Sequence, residues 1–123
     1  MLKSKQSLTQ SFRNAARGLY FAAGERSFFI QLCVGIVALI LAFTQPLFWV
    51  ERFIIILLIA LVLSFEAFNT AIEILLDHVT PEQHDSVARI KDIMAAGVFI
   101  ISLAALIIGI LIFAGALPVL RYA

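Results

Sequence analysis

Glu66, Asn69, Glu73 and Asp77 interrupt a stretch that otherwise reads as pure hydrocarbon, "SFEAFNTAIEILLD" from Ser64 to Asp77. Their steps of three, four and four put them on one stripe of an α-helix. A carboxylate in mid-membrane costs on the order of 2.5–3.5 kcal/mol on translocon scales, so Glu66 should face protein or a polar cavity and not lipid. Oxygen donors of this kind suit two tasks. Two carboxylates at a membrane boundary can hold Mg²⁺, which takes a few carboxylates together with phosphate oxygens. A carboxylate lying deeper can accept a proton from a hydroxyl that reaches up out of the lipid. With a lysine nearby to offset phosphate charge, these are the parts of a phosphoryl transfer from ATP to a lipid alcohol.

The elements that must hold these groups follow from composition. Of 123 residues, 63% are hydrophobic and 14% charged, with a mean hydropathy of +1.05. A water-soluble domain of this size could not bury so much apolar side chain, which implies an all-α integral membrane protein. Three apolar runs, Phe28–Leu47, Phe53–Ile72 and Ile93–Ile112, each have about the 20 residues that a helix needs to cross a hydrocarbon core. With their polar ends the spans cover about 28–47, 53–77 and 93–115 within a single domain, 1–123. Phe48 and Trp49 suit a headgroup boundary, and Pro81 marks a turn in the longer polar connection. The first apolar run is too long for an ordinary signal peptide and lacks a clear cleavage site, so the protein should keep its first span. Ahead of it, over about 5–26, Leu8, Phe12, Ala15, Ala16, Leu19 and Ala23 recur at helical spacing opposite Gln10, Arg13, Asn14 and Arg17. That is the pattern of an amphipathic helix lying on the membrane surface or packed on the bundle.

Orientation comes from the basic residues. Lys3, Lys5, Arg13, Arg17, Arg26, Arg89 and Lys91 lie on one side, against Arg52 and Arg121 on the other. Seven against two puts the N-terminus and the 78–92 loop in the cytoplasm. Glu25, Glu73, Lys91 and Asp92 then share one depth at the cytoplasmic boundary. Glu66 lies about 10 Å deeper than Glu73, at about 1.5 Å per residue. Asp77 lies past the boundary, where it should stabilise the loop.

Several functions are excluded. No phosphate-binding GxxxxGK[ST] loop, dinucleotide GxGxxG or HExxH helix is present. The lone cysteine, Cys33, forms neither an intrachain disulfide nor a cysteine metal site. No basic run points to nucleic acid. Two rivals to a kinase stay open on the residues alone. One is a small proton-coupled transporter subunit using Glu66 as a relay. The other is an assembly subunit held together by intramembrane hydrogen bonds.

"EAFNTAIEILLD", then "PEQH", then "ARIKD" resembles the prokaryotic diacylglycerol kinase family, which includes undecaprenol kinases, and the resemblance runs from about Ser11 to Phe113. It implies a homotrimeric bundle in the bacterial inner membrane. Each subunit would have three transmembrane helices and an N-terminal surface helix, with active sites shared between subunits at the cytoplasmic boundary. It also implies ATP as co-substrate, Mg²⁺ as cofactor and a membrane lipid alcohol as acceptor. Carried over by position, Glu66 matches the catalytic base, and Glu25 and Glu73 match the metal- and ATP-binding carboxylates. Asn69 supports them. Glu82, Gln83 and His84 match a nucleotide-contacting segment, and Lys91 and Asp92 match the phosphate-side pair. Arg13 and Arg17 match ATP contacts, although the Gly18-to-Glu25 spacing is one residue shorter than the family's usual. The wording of "PEQH" and "ERSFFIQ" is closer to the undecaprenol branch, with diacylglycerol as the alternative acceptor.

Overall fold

The computed structural model describes residues 7–80 and 84–121, and the expectations for Lys3, Lys5, Pro81, Glu82 and Gln83 lie outside them. Four helices follow in order: α1 (Leu8–Ala23), α2 (Arg26–Thr44), α3 (Trp49–Val79) and α4 (Asp85–Phe113), with a closing 3₁₀ turn at Pro118–Arg121. No strand occurs among the described residues. Helices α2, α3 and α4 are each long and apolar enough to cross a membrane, and the protein is a multi-pass membrane protein.

Local signals set the helix ends. The Ser7 hydroxyl accepts a hydrogen bond from the Gln10 backbone N–H at 3.2 Å and caps α1. Pro46 stops α2, because the residue before a proline is forced out of helical geometry, and Gln45 is extended. Glu51 opens α3 by accepting the Phe48 backbone N–H at 2.8 Å. At the other end of the chain α4 closes in a Schellman motif. Gly115 turns left-handed at φ 67°, its N–H reaches the Ile112 carbonyl, and the Ala116 N–H reaches that of Leu111. Helix α4 begins eight residues before the apolar run at Ile93. Hydropathy detects the part of a helix that lipid can solvate, whereas backbone hydrogen bonding extends the helix into water.

Helix α3 is the central member, packing on α2 along one side and α4 along the other. Gly35 allows the α2 approach, since a Cβ there would come within 3.1 Å of Ile59 Cγ2. Helices α2 and α4 bring no Cα atoms within 8 Å of each other among the described residues. A small core of Ala42, Ile55 and Ile112 closes the Arg52 end of the bundle. Most large apolar side chains elsewhere are exposed, including Val37, Leu57, Phe99 and Ile107, as expected where lipid replaces a protein interior. Helix α1 rests on α2 and α3 while leaving Leu8, Phe12, Leu19, Tyr20 and Phe21 uncovered.

Candidate functional site

The polar stripe of α3 meets α2 at its Glu73 end. Glu66, only 4% exposed, accepts a hydrogen bond from Ser27 Oγ of α2 through Oε2 at 3.3 Å. Ser27 falls in the first turn of α2, two residues past Glu25, so the α1–α2 junction that carries Glu25 also delivers the hydroxyl that holds Glu66. Nothing in the sequence marks Ser27 for this role. A serine at the head of an apolar span is unremarkable by composition, and only the rotation of α2 about its axis aims it at α3.

One turn along α3, Asn69 is 8% exposed and Thr70 beside it 7%. The Asn69 amide donates from Nδ2 to Glu73 Oε1 across a long 3.5 Å, as an i, i+4 pair on one face. Its Oδ1 is buried with no hydrogen-bond partner among the described residues. A buried, unsatisfied amide oxygen costs about 1–3 kcal/mol, so it is a position where an incoming donor or cation would be accommodated. Glu73 itself is half-buried.

On the α4 side, Lys91 Nζ donates to Asp77 Oδ1 at 2.8 Å. This ion pair ties the last turn of α3 to the second turn of α4. It also holds the Lys91 ammonium one helical turn beyond Glu73. Glu25 and His84 occupy the N-cap positions of α2 and α4, respectively. With Asp92 they are exposed, and no side-chain hydrogen bond among the described residues joins them to the Glu66 stripe. Arg13 and Arg17 are exposed on α1.

The structure therefore brings together Glu66 with Ser27, Asn69 with Glu73, and Lys91 with Asp77. It leaves Glu25, His84 and Asp92 open. No group of three or more His, Cys, Asp or Glu side chains that could hold a metal forms among the described residues. The donors on this face of α3 are nonetheless hard oxygens, the Glu73 carboxylate and the orphaned Asn69 Oδ1, and the Glu25 carboxylate at the head of α2 is of the same kind. That set fits Mg²⁺, which is commonly held by one or two carboxylates and completed by substrate phosphates and water.

A family model described as prokaryotic diacylglycerol kinase matches residues 13–113. The chain belongs to the prokaryotic diacylglycerol kinase family. An undecaprenol kinase of Bacillus subtilis (strain 168) is 37% identical over 105 residues, which span 85% of either chain. The protein is thus a membrane lipid kinase, and the transporter and assembly-subunit readings fall away. Within this kinase, the matched segment contains every described residue of the candidate site, from Arg13 through Asp92.

Proposed function

We propose that the kinase transfers the γ-phosphoryl group of ATP to the hydroxyl of undecaprenol, forming undecaprenyl phosphate. The observation that carries this reading is the burial of Glu66 about 10 Å along α3 from Glu73, held by a single hydroxyl from Ser27. A carboxylate so held keeps lone pairs for a proton. As the lipid hydroxyl oxygen bonds to the γ-phosphorus, the bond from that phosphorus to the β–γ bridging oxygen breaks and ADP departs. The hydroxyl proton passes to Glu66.

Glu25 and Glu73, with the Asn69 oxygen, would hold Mg²⁺, which when bound offsets the negative charge of the β- and γ-phosphates. Lys91, oriented by Asp77, supplies a further positive charge at the same level, with Asp92 beside it. Glu82, Gln83 and His84 contact the nucleotide, and Arg13 and Arg17 approach it from α1. By residue order, seven of nine basic residues precede the first or third apolar run, which supports a cytoplasmic N-terminus and active site in a bacterial inner membrane. The polar face left open at Glu25 and Asp92 supports a homotrimer with sites shared between neighbouring subunits, and the uncovered apolar residues of α1 support a helix seated on the membrane surface. The 37% identical relative favours undecaprenol. The family description favours diacylglycerol as the alternative acceptor.

The test is transfer of labelled phosphate from ATP with Mg²⁺ to undecaprenol, diacylglycerol and ceramide, using wild type and Glu66→Gln. Wild type should label undecaprenol most efficiently and Glu66→Gln should label nothing measurable. Wild-type turnover by Glu66→Gln would remove the base assignment, and a preference for diacylglycerol would replace the acceptor.

A further inference from the structure

Helix α2 itself carries no proposed proton acceptor or phosphate ligand, yet one stripe along it bears on the proposed base. Ser27, Gln31 and Gly35 follow one another in two steps of four, so they share a face. Ser27 Oγ donates to Glu66 Oε2 of α3 at 3.3 Å. Gln31 Nε2 donates to Ser102 Oγ of α4 at 3.2 Å. Gly35 lies against Ile59 of α3, whose Cγ2 would be 3.1 Å from a Cβ placed there.

The three contacts describe a single register. Along α2, Gly35 lies about 12 Å past Ser27, and along α3, Ile59 lies about 10 Å before Glu66. Two contacts about two turns apart fix both the rotation of α2 and its axial position against α3. Between them the Gln31 bridge adds a tie to α4, although α2 and α4 bring no Cα atoms within 8 Å of each other among the described residues. The head of α2 is pinned as well. Phe28, next to Ser27, is 1% exposed, and the Glu25 backbone N–H reaches the Ala22 carbonyl at 2.9 Å. The Ser27 hydroxyl is therefore presented to Glu66 from a fixed backbone.

We propose that Ser27 is a positioning residue for phosphoryl transfer, with Gln31 and Gly35 setting its aim: it occupies Glu66 Oε2, so that Oε1 is the atom that takes the acceptor's proton. The proposal rests on the kinase reading of the Glu66 site. Glutamate is a long, flexible side chain, and a reacting group misplaced by about 1 Å can cost about 10²-fold in rate. No hydrogen bond among the described residues engages Oε1. With Oε2 tethered, the carboxylate keeps one oxygen turned to the acceptor. As the acceptor oxygen bonds to the γ-phosphorus, the bond to the β–γ bridging oxygen breaks and ADP leaves. The acceptor's proton moves to Oε1, and Ser27 keeps its own.

The experiment measures kcat and KM, for ATP and for the better of undecaprenol and diacylglycerol, in Ser27→Ala, Ser27→Thr, Gln31→Leu and the Ser27→Ala/Gln31→Leu double variant. Ser27→Ala should lose about three- to tenfold in kcat with both KM values unchanged. Ser27→Thr should recover most of that loss, because it restores the hydroxyl and the exposed position has room for a methyl group. Gln31→Leu should lose about twofold in kcat and nothing further on top of Ser27→Ala, since its effect runs through the same hydroxyl. If Ser27→Ala does not fold, Ser27→Cys, a weak donor of similar shape, takes its place. Wild-type kcat in Ser27→Ala, a fall carried by KM, an equal loss in Ser27→Thr or multiplying losses in the double variant overturns the positioning role and leaves the kinase reading intact. Wild type that labels neither lipid overturns the kinase reading, and the positioning role with it.

Discussion

The two ends of α3 both carry charge, and they use it oppositely. At the Arg52 end, Glu51 is fully buried and accepts the Phe48 backbone N–H. Arg52 commits its guanidinium to the carbonyls of Ala42 at 2.8 Å and Gln45 at 3.3 Å, and lies over the Trp49 and Phe43 rings. These charges serve the last carbonyls of α2 and the first turn of α3, which is structural work. At the Glu73 end, Glu66 is held by a side-chain hydroxyl, Asn69 retains an unsatisfied oxygen, and Glu25 and Asp92 stand open. Burial therefore does not separate charge committed to helix ends from charge held by other side chains. Glu51 and Glu66 are both buried carboxylates on one helix. Glu51 is tied to the main chain of its own helix cap, whereas Glu66 meets the rotatable hydroxyl of a side chain on another helix.

Substitution puts that contrast at risk. The largest effect should come from Glu66→Gln, which keeps the shape and the Ser27 hydroxyl contact but removes the carboxylate proposed as the proton acceptor. Turnover should fall by about 10²–10⁴ with the folded oligomer intact, as read by labelled-phosphate transfer alongside size-exclusion chromatography. Next is Arg52→Met, which leaves helix-end carbonyls unserved in a closed corner. It should cost about 2–3 kcal/mol, seen as a lower unfolding midpoint in detergent, while kcat per folded enzyme stays near wild type. The opposite pattern, normal stability with lost turnover, would erase the distinction between the two ends.

Two smaller effects should refine it. Ser27→Ala removes the hydroxyl that holds Glu66. It should lower kcat several-fold, about 0.5–1.5 kcal/mol, with little change in the nucleotide KM. The smallest effect should be that of Asp77→Asn, which weakens an exposed ion pair worth about 0–1 kcal/mol. A modest rise in the KM for ATP is expected, steeper at low ionic strength, where the wild-type pair is screened least. A ratio of the Asp77→Asn KM to the wild-type KM that does not change with ionic strength would mean that Asp77 does not orient Lys91.

Much of the site is legible in the residue order. Glu66, Asn69 and Glu73 share a stripe because helical periodicity is written in their spacing, and their depth follows from counting residues through a hydrocarbon layer of known thickness. The end of α2 at Pro46 is equally plain. Helix α4 is harder, because its first two turns, Asp85 to Asp92, are polar and hydropathy does not see them.

Within one helix, then, the order of residues is enough to say which of them share a face and how deep they sit, since both are one-dimensional quantities. What each face meets is a three-dimensional matter. Ser27 on Glu66, Gln31 on Ser102 and Lys91 on Asp77 depend on the rotation and tilt of one helix against another. Those are set by close packing such as Gly35 against Ile59, a property of pairs of surfaces that no single periodicity encodes. An apolar groove beside α3 has the same origin, because it exists only where α2 and α4 both pack on α3 and fail to reach each other.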